Sequence, residues 1–171
     1  MQIITSIARG FQFLFSIVVL GLSVTIARQQ YYGDVPAETG YAAFTGALGI
    51  VVSLVGIASL FVDKLSGIIV WVLDGVTGLA LLIAGIIYAV TLKGVSCNDP
   101  FGKAWDNKLI SGGCVDDDYY GKKCRDGSTS GDHTGTIRAR CKRAEADCAF
   151  MFLAFAACAC ALVASFLTRN K

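Results

Sequence analysis

The sequence predicts an all-α membrane protein: a four-transmembrane-helix bundle with a disulfide-bearing outer loop between helices 3 and 4. Three observations carry this. Four apolar stretches, at about 10–27, 41–62, 65–92 and 148–168, are each long enough to cross a bilayer. The hydrocarbon core takes about 20 residues of helix, each rising about 1.5 Å. The chain is 54% hydrophobic and 16% charged, with mean hydropathy +0.60, whereas an ordinary soluble domain is about a quarter charged. Most charges lie between Lys93 and Asp147, in company with Cys97, Cys114, Cys124 and Cys141.

The first stretch follows Arg9 and is too long for the apolar region of a signal peptide, about 7–15 residues. It is read as an uncleaved signal-anchor. The connection at 28–40 is short and polar, with Gly33, Asp34 and Pro36 as turn residues. The second stretch has no charged residue from Tyr41 to Val62. Only Asp63 and Lys64 separate it from the third, so helices 2 and 3 should form a tight antiparallel hairpin. The outer loop, about 93–147, is rich in Gly, Asp, Lys and Ser. Asp116–Tyr120 and Gly127–Gly131 read as turn or exposed loop. Ile137–Ala146 reads as helix that extends the fourth crossing out of the membrane, with Arg138, Arg140, Lys142 and Arg143 in solvent. The whole, 1–171, is read as one domain.

Four crossings put both termini on one side, and two signals disagree on which. Of the 15 Lys and Arg, four (Arg9, Lys64, Arg169, Lys171) lie at the termini or in the second connection, and the rest lie in the other two loops. The positive-inside rule would then place the outer loop in the cytosol. Four cysteines in one polar loop are the pattern of a disulfide framework, which persists outside the cytosol. The cysteines are taken as the stronger signal. The loop approaches the length at which charge stops controlling translocation, and its acidic residues nearly balance its basic ones.

Asp74 is the one carboxylate inside the third stretch. Burying it in a bilayer costs about 2.5–3.5 kcal/mol, so it should face protein or water, or be protonated. Ser16 and Ser53 should lie at similar depth, with Thr77 one turn on. The simpler reading is a carboxyl hydrogen-bonded to these hydroxyls, which fixes helix packing. The sharper alternative is an ion or proton pathway. Small residues are the second feature. Ala42, Gly46 and Gly49 on helix 2, and Gly75, Gly78, Ala80 and Ala84 on helix 3, fit the spacing that lets helices approach closely. Packing within one bundle is favoured over self-association.

The four loop cysteines admit three pairings. A zinc site is disfavoured, since His133 is the sole histidine and no CxxC occurs. Cys148, Cys158 and Cys160 read as free structural cysteines. Asp116–Asp118 reads as a solvated acidic turn without EF-hand spacing. No metal and no cofactor are expected. No Ser/His/Asp set, phosphate-binding Gly loop or HExxH motif is present, so the chain is not expected to be an enzyme. A net charge of +2 is too small to imply nucleic acid.

Local signatures along the chain resemble a known family. They are Arg9-Gly10-Phe11-Gln12-Phe13-Leu14-Phe15 at the first helix and Gly40-Tyr41-Ala42-Ala43-Phe44 ahead of Ala47-Leu48-Gly49-Ile50. Leu73-Asp74, Ser96-Cys97-Asn98, Lys108-Leu109-Ile110 and Arg140-Cys141-Lys142-Arg143-Ala144-Glu145-Ala146 follow in order. In these the chain resembles MARVEL-domain tetraspan proteins, specifically the fungal non-classical export protein family, over essentially its whole length. The family pattern matches only Cys97 and Cys141. A segment at about 112–134, bringing Cys114 and Cys124, departs from it. The resemblance thus implies the pairings Cys97–Cys141 and Cys114–Cys124. It also implies a multi-pass plasma-membrane protein with cytosolic termini, associated with eisosome or membrane-compartment domains, sphingolipid-linked organisation and unconventional secretion.

The expected function is a non-enzymatic membrane organiser that contacts lipids, sphingolipid or sterol among them, with self-association as a homo-oligomer left open. The alternatives are a small channel or transporter using Asp74, and a tetraspanin-like adaptor.

Overall fold

A computed structural model describes residues 2–30, 33–59, 68–98, 103–117, 121–124 and 133–169. Four long helices dominate it: α1 (Gln2–Arg28), α2 (Ala37–Ala58), α3 (Ile68–Thr91) and α6 (His133–Arg169). All four are long and apolar enough to cross a membrane. Between α3 and α6 lie two single-turn helices, α4 (Lys103–Asp106) and α5 (Lys108–Ser111). A hairpin of strands β1 (Cys114–Asp117) and β2 (Gly121–Cys124) follows.

The boundaries depart from the sequence reading at three places. Helix α1 starts at Gln2 and takes in Arg9, because that guanidinium has a partner inside the bundle. Helix α6 starts at His133, so the expected extension and the fourth crossing are one continuous helix. Asp116 and Asp117 belong to a strand rather than a turn. The Asp63–Lys64 connection and Gly127–Gly131 lie outside the described residues.

Helix ends follow local chemistry. Pro36 is the extended N-cap of α2, and its carbonyl accepts from Thr39 N at 2.9 Å. Glu38 in the first turn complements the positive end of the helix dipole. Just past α3, Gly94 takes φ +76°, a left-handed conformation that stops a helix. Asn107 caps α5 by accepting from Leu109 N at 3.0 Å, and its amide donates to the Thr91 carbonyl at 2.8 Å. That pins α5 to the outer end of α3.

Neighbouring contacts show how the helices run. Positions Gly46, Gly49 and Gly56 on α2 meet Leu20, Ser16 and Arg9 on α1, in descending order. These two helices are antiparallel. Gly78 meets Cys158, and Gly85 meets Phe152, so α3 and α6 are antiparallel too. Helix α1 packs chiefly against α2 and α6, and α3 chiefly against α6.

Helix α1 buries Thr5, Arg9, Gln12, Ser16, Val19, Ser23 and Ile26. The spacing alternates four and three, which is the seam of a packed helix. Five of these seven are polar. Ile7, Phe11, Leu14, Ile17 and Val24 face outward instead. A helix with polar groups inside and apolar groups outside is what a lipid solvent selects, because polar groups must find partners within the protein. On α6 the same spacing runs through Ile137, Arg140, Ala144, Asp147, Met151, Ala154, Cys158 and Ala161, all buried.

Candidate functional site

Two buried polar clusters mark the bundle interior. In the first, Arg9 of α1 donates through both terminal guanidinium nitrogens to the two carboxylate oxygens of Asp74 on α3. Gln12, one turn on, accepts from Arg9 Nη1 at 3.0 Å, and its amide nitrogen lies 3.4 Å from Asp74 Oδ1. All three residues are almost wholly buried. A bidentate fork of this kind holds both groups in one geometry and cancels their charge locally. Gly56 of α2 makes room for it: a Cβ there would stand 2.6 Å from the Arg9 guanidinium carbon.

This corrects the expected partners of Asp74. The hydroxyls of Ser16, Ser53 and Thr77 do not hold the carboxylate. Ser53 Oγ donates back to the Ile50 carbonyl at 2.8 Å, the local bond that hydroxyls commonly make in helices. Ser16 Oγ and Thr77 Oγ1 are buried without a hydrogen-bond partner. The charged guanidinium is the stronger donor to a carboxylate, and it comes from α1. The signal was legible as Arg9, Gln12, Ser16 and Ser23 recurring at intervals of three, four and seven residues along one face of a mainly apolar helix.

The second cluster lies 14 residues further along both α1 and α3, from Arg9 to Ser23 and from Asp74 to Tyr88, about 21 Å away by helical rise. Ser23 Oγ donates to Asp147 Oδ2 of α6 at 2.7 Å. Tyr88 of α3 and Thr39 of α2 are buried beside them. Val19, Leu81, Met151 and Ala154 fill the layer between the clusters.

The expected small residues fall in different places. Gly46 and Gly49 stand against α1, where a Cβ would come within 2.8 Å of Leu20 N and 2.3 Å of Ser16 Oγ respectively. Gly78 faces Cys158 and Phe155 of α6. Ala42 and Ala84 are buried and Ala80 is half-buried. Gly75 is exposed, with nothing within 4 Å of a Cβ, so it is no part of a helix contact within the bundle.

Cys97 and Cys141 form a disulfide with a Cα separation of 5.5 Å, tying the end of α3 to α6. Cys148, Cys158 and Cys160 are free. The hairpin sets Cys114 directly opposite Cys124 in register, but their side chains lie outside the described residues. Arg140, expected in solvent, is buried. It donates to the carbonyls of Gln29 at 2.6 Å and Leu109 at 3.2 Å. Sequence position misled here, because the overhanging loop and the α1–α2 connection cover this turn of α6.

A family model described as a membrane-associating domain, MARVEL, matches residues 2–164. Comparison with curated proteins finds no match, and neither does comparison with solved structures. The match spans all four apolar helices and nearly the whole length, and the chain belongs to the MARVEL family of membrane-associating domains.

Proposed function

We propose that this protein is a non-enzymatic membrane organiser that works through lipid contact and lateral association. The observation that carries the reading is the MARVEL match across the four helices. Its outward faces are apolar: Phe44, Val51 and Leu54 on α2, and Val72, Val76 and Leu79 on α3, are all exposed from the bundle. Polar groups are turned inward, which leaves lipid or another apolar helix as the natural neighbour.

The finer reading is a plasma-membrane protein of the fungal non-classical export type. Its termini would be cytosolic, and its role would lie in eisosome-like compartments and unconventional secretion. Sphingolipid or sterol would be its lipid partner, and homo-oligomerisation its mode of assembly. The resemblance of the local signatures supports the family, and the Cys97–Cys141 disulfide supports an outer loop in an oxidising compartment. Lipid mass spectrometry of the protein extracted with its native annulus, with imaging of tagged protein in fungal cells, tests it. Enrichment of one lipid class and a patched distribution are expected. Bulk-like lipid and a uniform distribution would sink the reading.

The channel alternative rested on a free intramembrane carboxylate. Asp74 is closed off by Arg9, which weighs against it. Reconstituted protein should show background ion flux in wild type and Asp74→Asn alike.

A further inference from the structure

A cavity of about 520 Å³ opens at the outer end of the bundle. Gln30 just past α1, Asp34 and Glu38 at the entry to α2, Thr91 at the end of α3, and Asn107 and Lys108 at α5 all line it. Three of the crossing spans end at this level, at Arg28, Ala37 and Thr91. The hydrocarbon therefore stops here and the headgroup layer begins. The wall is fixed in place, since the Asn107 amide donates to the Thr91 carbonyl at 2.8 Å. A volume of this size is in the range of small-molecule sites.

The charges in the lining have both signs. Asp34 and Glu38 come from the α1–α2 side, and Lys108 comes from α5. Among the described residues no ion pair joins Lys108 to either carboxylate. A simple cation would meet the ammonium, and a simple anion would meet two carboxylates. A ligand carrying one charge of each sign satisfies both. Among the described lining residues there is no aromatic ring, the surface that quaternary ammonium groups seek. A primary ammonium has three N–H donors instead. Two carboxylates can accept them, and so can Thr91 Oγ1, whose own proton goes to the Ile87 carbonyl at 2.9 Å. Lys108 suits a phosphate as a point charge.

The polar lining is joined to apolar surface. Val35 lies between the lining residues Asp34 and Pro36, and Val90 precedes Thr91; both are exposed. Acyl chains have a place to lie beside the cavity, which a soluble zwitterion would not need. We infer that this cavity binds the headgroup of a phosphatidylethanolamine-type lipid, with its ammonium on Asp34 and Glu38 and its phosphate on Lys108. Phosphatidylserine is disfavoured, because its extra carboxylate would meet the acidic wall. The inference rests on the lipid-contact reading above and gives it a headgroup.

The test uses the full chain in nanodiscs of mixed phosphatidylethanolamine, phosphatidylcholine and phosphatidylserine. Native mass spectrometry of the released protein identifies the lipid it keeps. Retention of phosphatidylethanolamine over the other two is expected. Asp34→Asn and Lys108→Gln should each weaken that preference about fivefold, the upper range for an exposed charge pair. Both side chains are exposed, so neither change touches the packed interior. Equal retention of the three lipids would overturn the inference, and so would a preference undiminished in both variants. Free phosphoethanolamine, titrated into phosphatidylcholine nanodiscs, separates the headgroup from its lipid. Saturable binding of it without retention of the lipid would overturn the lipid assignment. With sphingolipid and sterol added to the mixture, retention of either in place of phosphatidylethanolamine would sink this inference and leave the lipid-contact reading standing. Retention of no lipid would sink both.

Discussion

Arg9 and Asp74 lie 65 positions apart in the chain, yet their side chains form a closed two-pronged ion pair in the bundle interior. Gln12 brackets the pair, and Gly56 leaves the space that the guanidinium fills. The arrangement joins α1 to α3, two helices that are not sequential neighbours.

Breaking that pair from one side should be severe. Asp74→Asn leaves a buried guanidinium without its counter-charge, and a loss of about 3–5 kcal/mol is expected. Arg9→Lys should also fail, since an ammonium cannot reproduce the fork. The double variant Arg9→Met with Asp74→Leu removes both charges and should recover much of the loss. Reversible unfolding in mixed micelles gives the comparison. Additive losses in the double variant would show that the two groups do not act as a unit.

Alanine at the α2 glycines separates packing from composition. At Gly46 the new methyl meets the Leu20 backbone, and at Gly56 it meets the Arg9 guanidinium. Neither can yield without moving a helix or opening the ion pair, so each should cost about 1–3 kcal/mol. Gly75→Ala has open space and should be neutral, or stabilising by up to about 1 kcal/mol through helix propensity. A stability ranking with Gly75→Ala lowest would contradict the contacts described above.

Non-reducing peptide mapping should recover the Cys97–Cys141 link and free thiols at Cys148, Cys158 and Cys160. A second link, Cys114–Cys124, is expected from the hairpin register. The Cys97–Cys141 bridge spans 44 positions, so reduction should lower stability by about 4 kcal/mol on the chain-entropy model. Free thiols throughout the outer loop would also reverse the proposed topology.

Arg140 should act as a clamp. It joins α6 to the end of α1 and to α5 through two backbone carbonyls. Arg140→Lys keeps the charge but reaches one carbonyl at most. Amide exchange in 107–111 and in the turn at 29–30 should quicken, while the helix centres stay protected. Unchanged exchange in both segments would remove the clamp.

Length and hydropathy alone determined the four crossings, since a single apolar stretch satisfies its own backbone inside lipid only as a helix and each stretch is long enough to span it. The placement of cysteines and turn residues around 93–147 marked the outer loop. The helical reading of Ile137–Ala146 followed from its own local composition. What only the tertiary structure decided was the partnering of polar groups. Asp74 was visible as an anomaly, but its choice of Arg9 over Ser16, Ser53 and Thr77 depends on how α1 is rotated and displaced against α3. Asp147 looked like the edge of a loop until the continuous α6 carried it inside, beside Ser23. Gly75 and Gly49 look alike in sequence, and only the packing separates them. A hydropathy pattern reports each residue's own preference for lipid. Pairing energies depend on distances between helices, which no single stretch of sequence contains.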